Sequence, residues 1–295
     1  MTEVFGVPMP VLMGQILLGV INGAFYALLS LGLALIFGLL NIINFAHGAL
    51  YTSGAFLAWV LLNKLGVSYW VSLIVVPLAI GAAGALTERL FLRRIAGLEH
   101  VYSLLLTFAL ALIIEGGLRQ AYGISGLPYS VPAGLTGVVN LGFMILPKYR
   151  GWVVAASLMV CIAVWLLFER TRLGALLRAA TENATVVQAF GVNVPLVITL
   201  TYGFGAALAA LAGVMAAPVF SVHPLMGSNL IIVVFAVVVI GGMGSIIGAV
   251  TTGFVVGILE GLTKLFYPEA ANTVIFVLMV IVLLVRPAGL FGKSD

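Results

Sequence analysis

Long apolar blocks organise this chain, falling at about 11–38, 45–62, 70–87, 101–121, 151–168, 196–217, 229–242, 245–262 and 272–285. About 20 apolar residues in a row span the hydrocarbon core of a bilayer. Residues 11–40 carry no charged side chain, and 195–259 carry none unless His223 is protonated. The pattern predicts an all-α polytopic transmembrane helical bundle, a single domain over 1–295. A turn-rich loop at 122–150 and a polar segment at 171–194 interrupt it. The seventh and eighth blocks run together through Gly241, Gly242 and Gly244, so two short spans, one re-entrant element and a broken helix all fit there. The expectation is eight or nine crossings.

Composition agrees. The chain is 63% hydrophobic and 7% charged with a mean hydropathy of +1.27, whereas a soluble domain carries about 25% charged residues. A net charge of +4 is compatible with nucleic acid. The Lys and Arg sit in short clusters between apolar blocks, however, as membrane topology signals do. Placing Arg89, Arg93, Arg94 and Arg170, Arg172, Arg178 in the cytoplasm puts the N-terminus outside and Arg286 and Lys293 inside. Eight basic residues then lie inside against five outside, of thirteen in all. Glu3 is the only charge before Lys64, so the start lacks the basic region of a cleaved signal peptide and 11–38 reads as a retained helix. The single cysteine, Cys161, lies in an apolar block and excludes an intrachain disulfide or a thiolate metal cluster.

Polar groups inside the apolar blocks are the next signal. Gln15, Gly19, Asn22, Tyr26 and Ser30 follow at steps of 4, 3, 4 and 4, which keeps them on one stripe of a helix turning about 100° per residue. Such a stripe either walls a transport path or makes interhelical hydrogen bonds, with Gly19 and Gly23 permitting close approach. At the first junction Asn41, Asn44 and His47 recur every three residues, followed by Tyr51, Thr52 and Ser53. Unwound backbone at membrane depth needs protein or a water-filled cavity around it. This junction therefore reads as a pathway or gate, or else as a structural joint; a lone His falls short of a metal site. Gln15, Asn22, Tyr26, Asn41, Asn44, His47 and Tyr51 are the candidate translocation-pathway residues.

Glu115 with Arg119, and Glu260 with Lys264, stand four apart and are expected to pair near span ends. That leaves little for a proton relay, which needs an unpartnered carboxylate deep in a span. Gly244xxxGly248 and Gly253xxxGly257xxxGly261 offer small-residue faces for tight helix packing. Residues 48–56 and 244–254 share a faint likeness that an ancient duplication would explain. GGMGSIIG is not a dinucleotide fingerprint, and Gly292-Lys293-Ser294 has Pro287 where a phosphate loop needs its first glycine. Neither an ATP site, a cofactor, a metal site nor catalytic residues are expected in this chain.

The segment at 169–194 is too polar to cross a bilayer and too short to be a domain. Leu173, Leu176, Leu177, Ala180, Ala184 and Val187 repeat at helical spacing, with Arg178, Thr181, Glu182, Thr185 and Gln188 on the other face. Thr171 is placed to cap the start, and Gly191 and Pro195 suit the end. The segment reads as an amphipathic helix that either lies on the membrane surface or docks a soluble motor.

Four stretches carry a family resemblance: GLLNIINFAHGALYTSGAF at 38–56, TRLGALLRAATENATVVQAFGVNV at 171–194, VVIGGMGSIIGA at 238–249 and RPAGLFG at 286–292. Together they resemble the H-type permease of branched-chain amino acid ABC importers, in the same order and over essentially the whole chain. The resemblance implies that two related permeases form the pore and two ATPases, holding ATP and Mg, bind their cytoplasmic helices. It further implies that an extracytoplasmic solute-binding protein delivers hydrophobic amino acids at the bacterial inner membrane. Arg172, Gly174, Arg178, Glu182, Asn183 and Gly191 would lie in the ATPase-coupling helix. Glu182-Asn183-Ala184 departs from the importer pattern Glu-Ala-Ala, and Gly191 comes late. Related permeases serve urea, short amides or aromatic acids. An autonomous secondary transporter or channel for a small polar solute is the competing class, motivated by the polar stripe and Glu115.

Overall fold

The computed structural model describes residues 3–4, 6–40 and 43–292. Asn41, Lys293 and Ser294 lie outside the described residues. The helices are α1 (Met9–Leu40), α2 (Ala46–Leu65), α3 (Tyr69–Thr87), α4 (Arg93–Ile95), α5 (His100–Tyr122), α6 (Lys148–Arg170), α7 (Arg172–Glu182), α8 (Ala184–Ala189), α9 (Val194–Ala216), α10 (Met226–Gly241), α11 (Ile246–Phe266) and α12 (Val274–Val285). A π-helical turn, Glu88–Leu92, joins α3 to α4. The described residues also include two small antiparallel hairpins, β1 (Glu3–Val4) with β2 (Val7–Pro8) and β3 (Val138–Asn140) with β4 (Ile145–Pro147).

Every apolar block is a helix within a few residues of its expected bounds. The uncertain pair is resolved as α10 and α11, separated by a tight turn. Gly242 and Gly244 turn there at φ of 100° and 82°, a region that glycine enters without strain. Among the described residues, six helical stretches are long and apolar enough to cross a membrane by themselves, those based on α1, α3, α5, α6, α9 and α11. α10 and α12 are apolar but shorter. α2 has 20 residues, but His47, Thr52 and Ser53 make its first half polar.

Within the bundle, α1 is central and α5 peripheral: the most apolar window of α1 is 83% buried, that of α5 only 11%. The apolar side chains of α5, such as Leu105 and Ile113, instead face outward. Between helices in lipid, close van der Waals packing supplies the attraction that water exclusion supplies elsewhere. α1 and α11 meet in this way and antiparallel, Gly19 lying against Gly257 and Ile258, and Gly23 against Gly253 and Phe254. A side chain at Gly19 would run into backbone at 2.7 Å. α9 packs on α1, α2 and α3 through similar small-residue contacts.

The bundle has two distinct ends. At one, the 123–147 loop folds down: Leu127 and Val222 exchange backbone hydrogen bonds of 2.8 and 2.9 Å, and Trp59 Nε1 donates to Pro128 O at 3.0 Å. Tyr69, Trp70, Tyr129, Tyr149 and Trp152 cluster beneath it edge to face, in the manner of an interfacial aromatic belt. Tyr149 donates to Met215 O at 2.9 Å, pinning the start of α6 to the end of α9, and its oxygen meets Tyr69 OH at 2.8 Å. Burial pushes the Tyr129 hydroxyl up to about 12. At the opposite end stand α7 and α8, the π-turn, the α10–α11 turn and the C-terminal tail.

Candidate functional site

The expected single helix at 171–190 is two helices. Asn183 breaks it with an extended backbone at φ −153° and ψ 90°. Its Oδ1 accepts the Val186 N–H at 3.0 Å, and a side chain that caps a new helix competes with continuation of the old one. Thr171 does not cap α7; its hydroxyl donates back to Leu167 O. Pro195 belongs to the first turn of α9, where a missing N–H costs nothing. Asn193 caps that helix, accepting from Leu196 N at 3.1 Å.

Two of the six coupling candidates fasten α7 to the bundle. Arg178 Nη1 donates to Phe168 O at 2.7 Å and pairs with Glu169 at 3.3 Å. This places a cation on the carbonyl-rich end of α6, where the helix dipole favours it. A methyl group at Gly174 would strike that same Phe168 carbonyl, so only glycine lets α7 cross so close to α6. The other four, Arg172, Glu182, Asn183 and Gly191, are exposed. Between this elbow and the bundle lies a cavity of about 590 Å³, walled by Leu35, Gly38, Phe168, Arg178, Ser245 and Phe291 among others.

The pathway candidates occupy different surroundings. Gln15 and Asn22 are half-buried on α1, while Tyr26 and Ser30 are buried. Tyr26 OH donates to Glu260 Oε2 at 2.7 Å, and Lys264 pairs with the other carboxylate oxygen. The Glu260–Lys264 pair therefore forms as expected, but its carboxylate is buried and has a third member. Glu115 and Arg119 do not close an ion pair among the described residues. Asn44 is fully buried, its Nδ2 donating to Tyr202 OH at 3.1 Å and its Oδ1 accepting from Ala46 N at 3.1 Å. His47 lies 3.0 Å from Leu29 O through Nε2, while its Nδ1 has no partner. Tyr51 is buried with an unpartnered hydroxyl. Because His47 sits beside Leu29 and Gly32, α2 starts well inside the bundle and the junction folds back along α1. Among the described residues no group of His, Cys, Asp or Glu could hold a metal ion.

One buried charge escaped the sequence reading. Glu88, at the start of the π-turn, is 2% exposed. Thr199 donates to one of its oxygens, and Arg93 Nε stands 3.7 Å from the other. Arg93 also donates to Pro195 O at 2.8 Å and to Thr199 Oγ1 at 2.7 Å. In the sequence Glu88 borders an arginine cluster that reads as a topology signal. Its burial depends on α9, more than a hundred residues away. An acidic residue flanking such a cluster at the end of an apolar block was the available clue.

Comparison with known proteins places this geometry. A family model described as branched-chain amino acid transport system, permease component, matches residues 15–283. The high-affinity branched-chain amino acid transport permease BraD of Pseudomonas aeruginosa is 28% identical, over 95% of this chain and 96% of its own. LivH of Escherichia coli K12 is 27% identical, again over 95% and 96%. A probable LivM permease of Methanocaldococcus jannaschii is 30% identical over 50% of this chain and 48% of its own. No solved structure matches. A polytopic helical chain with a family model over nearly its whole length thus belongs to the permease components of branched-chain amino acid transport systems.

Proposed function

We propose that this chain is the membrane-spanning permease subunit of an ATP-driven importer for branched-chain or other hydrophobic amino acids. It forms half of the pore beside a second, related permease, and crosses the bacterial plasma membrane nine times with its N-terminus outside. The observation that carries this reading is the α7–α8 linker: an exposed, broken amphipathic segment fastened to the bundle at one corner, with a cavity behind it. Two separate ATPase subunits dock on it and hold the ATP and Mg. An extracytoplasmic binding protein delivers substrate to the end bearing the 123–147 loop. The partial likeness to LivM supports a paralogous partner, since a pore between two related chains needs matching helix faces. α2 has 20 residues, about 30 Å of helix, and α10 and α12 cross because neighbouring protein satisfies their shorter ends.

The test is reconstitution of the complete transporter in vesicles, with uptake and ATP hydrolysis read separately. Glu182→Lys on the exposed end of α7 reverses a charge at the docking surface, and uptake per ATP hydrolysed falls by about tenfold while insertion is unchanged. An unchanged ratio counts against docking there. Arg178→Glu is a poorer test because it breaks the elbow with Phe168 and Glu169. Substrate flux by this chain alone, without ATPases, would establish the secondary transporter instead.

A further inference from the structure

A buried carboxylate stands between the α7–α8 linker and the α1–α2 junction. We propose that Glu88 and Arg93 are positioning residues that carry displacement of the linker to Asn44 at that junction. The proposal rests on the linker being the ATPase-docking element.

Only the turn around Gly191 separates α8 from α9, so a displaced linker acts first on the opening turn of α9. Arg93 grips that turn at Pro195 O and Thr199 Oγ1. Thr199 donates in turn to Glu88. One turn further along α9, Tyr202 accepts from Asn44, and Tyr202 packs with Ile36 of α1 and Leu92 of the π-turn in a closed apolar cluster. Hydrogen bonds and packed side chains therefore run without a gap from the end of the linker to the junction. α3 and α9 also touch backbone to backbone at Gly81 and Gly203, so α3 lies directly against the helix on which a displaced linker acts.

The chemistry is unusual for a mere fastening. Taking a carboxylate out of water is costly, and a well-packed apolar pair would hold two helices at least as firmly. Glu88 continues the buried face of α3 marked by Gly81 and Gly84 and opens the π-turn; such turns collect at functional sites. The ion pair is long at 3.7 Å, while both Arg93 hydrogen bonds to α9 are short. Arg93 is thus held by α9 first and by Glu88 second, an arrangement that lets the arginine travel with α9.

The complete transporter in vesicles, carrying Glu88→Gln, Arg93→Gln or both, tests this. Arg93→Gln leaves Glu88 buried without its cation and gives the least assembled complex; the double variant removes both charges and restores the yield. In Glu88→Gln and the double variant, ATP hydrolysis per assembled complex is retained and uptake per ATP falls by about fivefold or more. If uptake and hydrolysis fall together in proportion to the assembled complex, or the double variant keeps the normal ratio, the pair is only structural and the proposal is overturned. A wild-type transporter without ATP-dependent uptake would overturn the docking reading itself, and the relay with it.

Discussion

At the scale of single residues, Tyr26 shows how a polar group is kept inside an apolar helix. Its hydroxyl reaches Glu260 across the α1–α11 contact, leaving the buried carboxylate with two donors. Tyr26→Phe removes one of them, an expected loss of about 1–3 kcal/mol. It would appear as a lower melting temperature of the detergent-solubilised protein, with the Lys264 pair intact. No change in melting would mean that water replaces the hydroxyl. Much of this was legible: the steps from Gln15 to Ser30 mark a stripe that avoids lipid, and Glu260 with Lys264 reads as a pair. The depth of Glu260 was not legible, because its third partner is 234 positions away and a pair four apart looks the same at an interface as in a core. The six coupling candidates were uneven for a related reason. Gly174 and Arg178 match an importer pattern, yet their contacts with Phe168 depend on how sharply α7 turns back on α6.

Among elements, the existence of the apolar helices was decided by block length, and each block became a helix. The break at Asn183 was hidden because apolar spacing continues through it from Ala180 to Val187. A period of 3.6 cannot register one residue that leaves the helical region in order to cap the next turn. Asn183→Ala deletes the cap of α8 and costs that short helix about 1 kcal/mol. Hydrogen exchange at 184–189 then speeds up about fivefold, while exchange in α9, capped independently by Asn193, stays as it was. Acceleration spreading into α9 would show that α8 and α9 open as one unit. The α10–α11 turn is the opposite case: Gly242 and Gly244 marked an interruption on paper, and the backbone conformations they permit make it a tight turn between two helices.

For the whole molecule, the arrangement of ends is testable with one reagent. Cys161 is buried, so the native chain should give little background with a membrane-impermeant thiol label. Asn63→Cys, at the exposed end of α2, is expected to react from outside in intact cells, and Met243→Cys in the α10–α11 turn only after the membrane is opened. The reverse result would invert the topology. Both positions are exposed in the bundle, so silence at both would mean that a partner covers them. The Tyr149–Met215 hydrogen bond has a mechanical consequence of its own. It ties α6 and α9 together at one extremity; toward the other, Phe168 in the last turn of α6 meets Phe204 of α9 at a ring-centroid distance of 5.9 Å, beside the cavity that Phe168 and Thr201 line. Each helix has 23 residues, about 35 Å. Two rods of that length, riveted at one tip and braced by a ring contact nearer the other, form a lever whose free arm is the stretch of α9 before Phe204. A small push applied to that arm meets the ring contact first and the rivet last.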